Sequence, residues 1–206
     1  VTFVATDAHK LVRLKNMAVK SGVDASFILP KKPAGLLKAV IAKEVGDVEI
    51  SFDQKNIAFR LPSYTMVCRQ IEGRFPNYNG VIPQNNPYRL IIDRVSLMNA
   101  AKRVFAFSNQ GTGLIKLAIS NNQLVVSAQD IDFSTSAEET LVCQYDGNEI
   151  TIGFKAPFLI DILNNINSSD VVMALADPSR AGVILPFENE ADEDLLMLLM
   201  PMLLSE

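Results

Sequence analysis

The sequence predicts an α+β fold made of repeated units, each with one short helix and three or four antiparallel strands. Three observations lead there. Helical and strand-like apolar patterns recur in the same order about three times, at roughly fifty to sixty residue spacing. The strand-like runs follow one another across short polar turns, which suits antiparallel meanders; a βαβ chain would place a helix between each pair. An apolar content of 49 %, with 10 glycines and 10 prolines in 206 residues, is enough for one large or two small domains with their own cores.

The opening Val1–Leu14 reads as strand, turn, strand. Pro30 and Pro33 stop that pattern, and a helix is predicted from Pro33 to Glu44, with Leu36, Leu37, Val40 and Ile41 on one face. Pro33 suits a first helical turn, where its missing N–H would have no partner in any case. Strands are expected at Val48–Phe52, Asn56–Leu61 and Thr65–Gln70. The second helix is expected over Arg94–Phe105, with Leu97, Ala101, Val104 and Phe105 inward, before strands at Gly113–Ser120, Gln123–Gln129 and Asp132–Val142. Asn121-Asn122 between the first two of these is a hairpin signal, because asparagine tolerates the positive φ of a tight turn. The third unit is read as strand Glu149–Phe154, helix Pro157–Ile166, then strands Val171–Ala176, Gly182–Pro186 and Leu195–Met202. The proline-flanked polar stretch Ile82–Pro87 is the expected boundary, dividing residues 1–86 from 87–206.

The ten-residue apolar run Leu195–Leu204 is too short to span a bilayer and contains Pro201, so it reads as a buried strand. The opening Val-Thr-Phe-Val has no basic region ahead of an apolar one, so no signal peptide is expected and the protein is placed in the cytoplasm. Cys68 and Cys143 stand alone, which fits free thiols; no zinc site, other metal or cofactor is expected. Charge is uneven: 12 Lys and Arg against 7 Asp and Glu through Asn86, then 7 against 16 from Pro87 onward, for a net −4. Such asymmetry suits a nucleic-acid-facing region beside an acidic exterior, although a solvated basic face gives the same count.

Thr6, Asp7 and His9 are the nearest approach to a catalytic set, and His9 is the single histidine. Neighbours within one turn converge poorly on a substrate, and no nucleophile elbow, phosphate-binding glycine loop or zinc-protease motif is present. Asp130 and Asp132 form a carboxylate pair without a second pair to complete a metal site.

Three segments carry a resemblance: ATDAHKL at Ala5–Leu11, GRFPNY at Gly73–Tyr78 and MPMLL at Met200–Leu204. In this order and spacing they resemble the bacterial sliding clamp, the beta subunit of DNA polymerase III, whose members carry ATDGHRL, GRFPDY and MPMRL. Ala8 stands where that family has glycine, Lys10 and Leu203 where it has arginine, and Ser205-Glu206 extend the end. The resemblance implies a DNA-clamp fold, no enzymatic activity, and a pocket for short linear peptides of polymerase, clamp loader and repair proteins. Matching positions are Thr6, His9, Lys10 and Leu11, then Pro76 and Val81, Phe158, Ser179 and Ala181, and finally Leu198, Leu199, Met200, Pro201 and Met202. An apolar lining with two methionines suits varied partners, because methionine repacks easily.

The resemblance also implies that helices present cations to duplex DNA without reading its sequence. Lys31, Lys32, Lys38, Lys43, Lys102 and Arg103 are the candidates. Ala106 and Phe107 would meet a neighbouring subunit in the homodimeric ring. The chain corresponds to part of the family's second domain and all of its third, so this truncated chain is not expected to close a ring. Two other readings are open at this point: a hydrolase built on Thr6, Asp7 and His9, and a structural repeat protein whose terminal strand is only core.

Overall fold

The computed structural model describes residues 1–204; Ser205 and Glu206, the expected extension, lie outside the described residues. The chain divides into two units, one formed by Val1–Lys20 with the chain from Gly80 onward, the other by Ser21–Asn79.

In the first unit, β1 (Thr2–Thr6) and β2 (Lys10–Asn16) form the expected hairpin. The remaining elements are β6 (Tyr88–Asp93), α2 (Arg94–Phe105), β7 (Leu114–Ser120), β8 (Gln123–Asp130), β9 (Thr135–Val142), β10 (Gln144–Asp146), β11 (Ile150–Lys155), α3 (Ala156–Asn164), β12 (Asp170–Leu175), β13 (Gly182–Pro186) and β14 (Glu193–Leu199). One seven-stranded sheet runs β1-β2-β14-β13-β12-β6-β10, and a four-stranded sheet runs β11-β7-β8-β9. Every pairing is antiparallel, as meander patterning requires. Leu97, Ala100, Ala101 and Val104 of α2 join Leu159, Ile162 and Leu163 of α3 in a core that takes residues from both sheets.

The Asn121-Asn122 hairpin forms as expected: φ is 48° and 63° there, and Ser120 pairs with Gln123 across it. β6 and β10 escape the sequence patterns. In β6 only Leu90 and Ile92 are buried, and Asp93 turns straight into α2 by accepting Ser96 N–H at 2.7 Å. β9 begins at Thr135 instead of Asp132, because the Asp130 carboxylate accepts the backbone N–H groups of Asp132 and Phe133 and holds a turn. That turn occupies one carboxylate of the pair noted in the sequence, Asp130, and uses Asp132 through its backbone N–H. β14 ends at Leu199, short of the expected Met202, since Pro201 has no N–H for a ladder.

In the second unit, α1 (Lys31–Ile41) packs with β3 (Glu49–Phe52), β4 (Asn56–Arg60) and β5 (Thr65–Arg69) around a small core of Ile57, Phe59 and Leu61. Leu37 and Val40 reach that core, but Leu36 and Ile41, expected on the same face, are 55 % and 41 % exposed. Three strands are too narrow to cover a wider helical stripe. The helix starts at Lys31, because extended Pro30 serves as its N-cap, and it closes by Ala42, where Lys43 N–H bonds Val40 O and Glu44 N–H bonds Ile41 O. Cys68 and Cys143 are free thiols, and burial pushes both up from their ordinary value. Among the described residues no helix is long and apolar enough to cross a membrane, and no group of side chains could hold a metal ion.

Candidate functional site

The site grows from the pairing of β2 with β14, two strands that lie at opposite ends of the sequence. Register fixes the faces. Leu11 pairs with Thr6 on one side and Leu198 on the other, and Leu198 pairs with Val183, so these four side chains share one face. The next row, Val12, Met197, Ile184 and Met173, belongs to the core, which puts the first row on the opposite, outer face. Leu11, Leu198 and Val183 are nonetheless 3–5 % exposed. The chain leading into β6 helps to cover this face: the Asn86 side-chain amide donates to Ala174 O and Ala181 O, both at 2.9 Å. Its Oδ1 is buried without a hydrogen-bond partner.

Leu199 and Lys10 pair one step further along and face the core side, where α3 lies. Lys10 Nζ meets Asp161 of α3 at 2.8 Å and Asp7 at 3.7 Å, and lies 4.7 Å from the centre of the Phe158 ring. His9 stacks on Phe158 at 5.6 Å with 26° between the planes. Lys155, one residue before α3, holds its Nζ 5.3 Å from the same ring.

The hairpin turn that presents these groups is tied internally. Asp7 Oδ1 accepts His9 N–H at 3.1 Å and Lys10 N–H at 2.9 Å, and Thr6 Oγ1 donates to Lys10 O at 2.9 Å. Ala8 sits at φ 72°, the left-handed conformation that favours glycine. Burial pushes the Asp7 carboxyl up, but the two backbone donations and the charges of Lys10 and His9 outweigh it and hold it below its ordinary value. The hydrogen bond to Asp161 raises Lys10 above the ordinary lysine value, against its partial burial.

Beyond Leu199 the chain crosses from one sheet to the other. Met200 N–H bonds His9 O at 2.9 Å, and Met202 N–H bonds Gly153 O of β11 at 2.8 Å. Met200 is 43 % exposed, and Pro201 and Met202 are half-buried. The crossing therefore leaves Met200 exposed at the strand end, after the buried Leu11 and Leu198 row and bonded through its backbone to His9, whose ring stacks on Phe158.

The structure brings together Thr6, His9, Lys10, Leu11, Phe158 and Leu198 to Met202. Ala181 is buried just before β13, while Ser179 is exposed and donates its hydroxyl to Asp177. Val81 is 59 % exposed. Pro76 belongs to the other unit, where it is exposed and its carbonyl accepts Tyr78 N–H. A catalytic set does not form from Thr6, Asp7 and His9: Thr6 Oγ1 and the Asp7 carboxylate are spent on backbone groups, and the His9 ring stacks on Phe158. Asp161 and Lys155 were not legible as site residues; the one local signal was Pro157 marking a helix start just after Lys155.

The expected cations are exposed: Lys31, Lys32 and Lys38 on α1, Lys43 just after it, and Lys102 and Arg103 in the last turn of α2. Arg103 is engaged by Glu139 through two hydrogen bonds. Ala106 caps α2, and Phe107 beside it is 43 % exposed.

The chain is similar to known proteins along nearly its whole length. The model for the DNA polymerase III beta subunit, C-terminal domain, matches residues 79–203, and that for the central domain matches residues 1–77. The chain is 30 % identical over 201 residues to the beta sliding clamp of Haemophilus influenzae, covering 97 % of this chain and 53 % of that protein. It is 29 % identical over 201 residues to the Escherichia coli beta sliding clamp, with the same coverage of 97 % and 53 %. A crystal structure of the Bartonella birtlesii sliding clamp bound to griselimycin superposes with a TM-score of 0.90 at 34 % identity, over 98 % of this chain and 54 % of that one. The chain thus spans about half the length of the relatives it matches. With family models matching nearly its whole length and a clamp-like α+β architecture, the chain belongs to the DNA polymerase III beta subunit family.

Proposed function

We propose that the chain is part of a replication processivity factor, a sliding clamp subunit that in the intact assembly encircles duplex DNA and tethers polymerase, clamp loader and repair proteins. It makes and breaks no bond; its work is to hold, in the cytoplasm. Residues 1–86 form the C-terminal part of the second clamp domain and residues 87–206 the third. The peptide site comprises Thr6, His9, Lys10, Leu11, Val81, Phe158, Ser179, Ala181 and Leu198 to Met202, all in the first unit.

The observation that carries this proposal is the terminal segment strung between two sheets by Met200 N–H to His9 O and Met202 N–H to Gly153 O. It holds exposed Met200 and half-buried Pro201 and Met202 in one line, which suits docking of an extended apolar peptide. The Bartonella relative bound to griselimycin supports ligand binding within the family. Duplex DNA is the second partner. Lys31, Lys32, Lys38 and Lys102 have no carboxylate partner among the described residues and are free to meet phosphates, whereas Arg103 is engaged by Glu139. Ala106 and the exposed Phe107 are the proposed ring contact.

The test is fluorescence polarisation of a labelled Gln-and-Leu/Phe peptide against the chain and a variant lacking Met200–Glu206. Saturable binding at micromolar Kd or better, lost in a deletion variant that keeps its thermal transition, supports the site. Absence of binding to the folded chain overturns it. A deletion that unfolds the protein outright would favour a purely structural terminal strand.

A further inference from the structure

The cations beside this site are unequally neutralised. Lys10 has two carboxylates, Asp161 and Asp7. Lys155 has none among the described residues, and its Nζ makes no hydrogen bond there; it lies over the face of Phe158, 5.3 Å from the ring centre. An aromatic face holds an ammonium in place through its quadrupole but accepts none of its three N–H donors. Lys155 is half-buried, at the end of β11 two residues beyond Gly153, where the terminal segment is anchored. It therefore flanks the Met200–Met202 lining and shares its aromatic ring with His9. Arg180 lies one residue before buried Ala181; its guanidinium bonds Asn85 O at 2.9 Å and has no carboxylate partner among the described residues. A chain with net charge −4 thus leaves two cations unpaired near its apolar site.

We propose that Lys155 is a specificity-determining residue of this site and selects peptides that carry a carboxylate beside their apolar anchors. The proposal rests on the peptide-binding function above and names the chemistry of the partner. Apolar anchors fill a groove but discriminate weakly between registers and sequences. One charge pair at a half-buried rim adds orientation and partner choice, and it gains from the partial exclusion of water. Phe158 pre-positions the ammonium, so less side-chain freedom is lost when the carboxylate arrives.

The experiment compares two labelled Gln-and-Leu/Phe peptides that differ only in one aspartate, replaced by asparagine in the second. Each is titrated by polarisation against the intact chain, Lys155→Gln, and Lys55→Gln, which removes one positive charge from a turn of the other unit. The intact chain and Lys55→Gln are expected to bind the aspartate peptide roughly threefold to tenfold more tightly, with the gap shrinking in high salt. Lys155→Gln is expected to bind both equally, at the affinity of the asparagine peptide. Equal binding of both peptides by the intact chain overturns the role of Lys155 and leaves the site standing. A preference that persists in Lys155→Gln also overturns it. Failure of both peptides to bind the folded intact chain overturns the site itself. A duplex oligonucleotide that displaces peptide from the intact chain but not from Lys155→Gln would assign the ammonium to phosphate and overturn the proposal.

Discussion

Ala8 stands in the hairpin turn at φ 72°, where its Cβ crowds the following carbonyl. Ala8→Gly is expected to raise the stability of the first unit by about 0.5–1 kcal/mol, the strain relieved exceeding the extra freedom of glycine in the unfolded chain. Its measure is the urea midpoint; an unchanged or lower midpoint would mean that the turn bears no strain. The same turn is latched to α3 by Lys10 and Asp161, a partly exposed pair of the kind worth about 0.5 kcal/mol. Asp161→Asn should therefore accelerate amide exchange at His9 and Lys10 about twofold to threefold. The latch depends on pH at both ends. Asp7 is depressed in the fold, so its contribution is present above the unfolded aspartate value and fades as pH falls through the folded one, below about pH 4. Lys10 is raised, so its contribution is complete below the unfolded lysine value and fades as pH rises through the folded one, above about pH 10. Protection factors at these amides, with the intrinsic pH dependence of exchange divided out, should be greatest between those limits; a flat protection profile would mean that the latch does not stabilise the turn.

Among the elements, the terminal segment depends most on its surroundings. A Cβ at Gly153 would lie 2.6 Å from Leu204 Cδ2, 2.9 Å from Leu114 Cδ1 and 2.9 Å from Met202 O. The leucines can rotate away, but the carbonyl belongs to the backbone that donates Met202 N–H to Gly153. Gly153→Ala is therefore expected to displace residues 200–204 and weaken peptide binding about tenfold, at a stability cost of about 1–3 kcal/mol. Polarisation and urea titration on one sample separate the two effects, and unchanged affinity would show that the segment does not position the site. By contrast, α2 and the Asn121-Asn122 turn are governed locally. Asp93 caps the one and two positive-φ asparagines shape the other, which is why both appeared at their expected positions.

For the whole molecule, the two units differ in how much they bury. The larger draws its core from two helices and two sheets, while Ser21–Asn79 relies on Ile57, Phe59 and Leu61 with a few half-buried neighbours. Small cores are marginal, so Ser21–Asn79 should open first. Limited proteolysis during a thermal ramp should cut within residues 21–79 before the first unit melts, and one cooperative loss of both would refute this ordering. Periodicity, capping and turn chemistry act over a few residues, so the sequence by itself determined the helix and strand repeat, the hairpins and the three motifs that mark the family. It could not show that β2 lies against β14, that Leu11 and Leu198 share the outer face while Lys10 turns inward, or that Lys155 and Asp161 gather around Phe158. Those placements join residues as much as 189 positions apart, as in the Leu199↔Lys10 pair, and only the burial of a complete core decides which distant strands become neighbours.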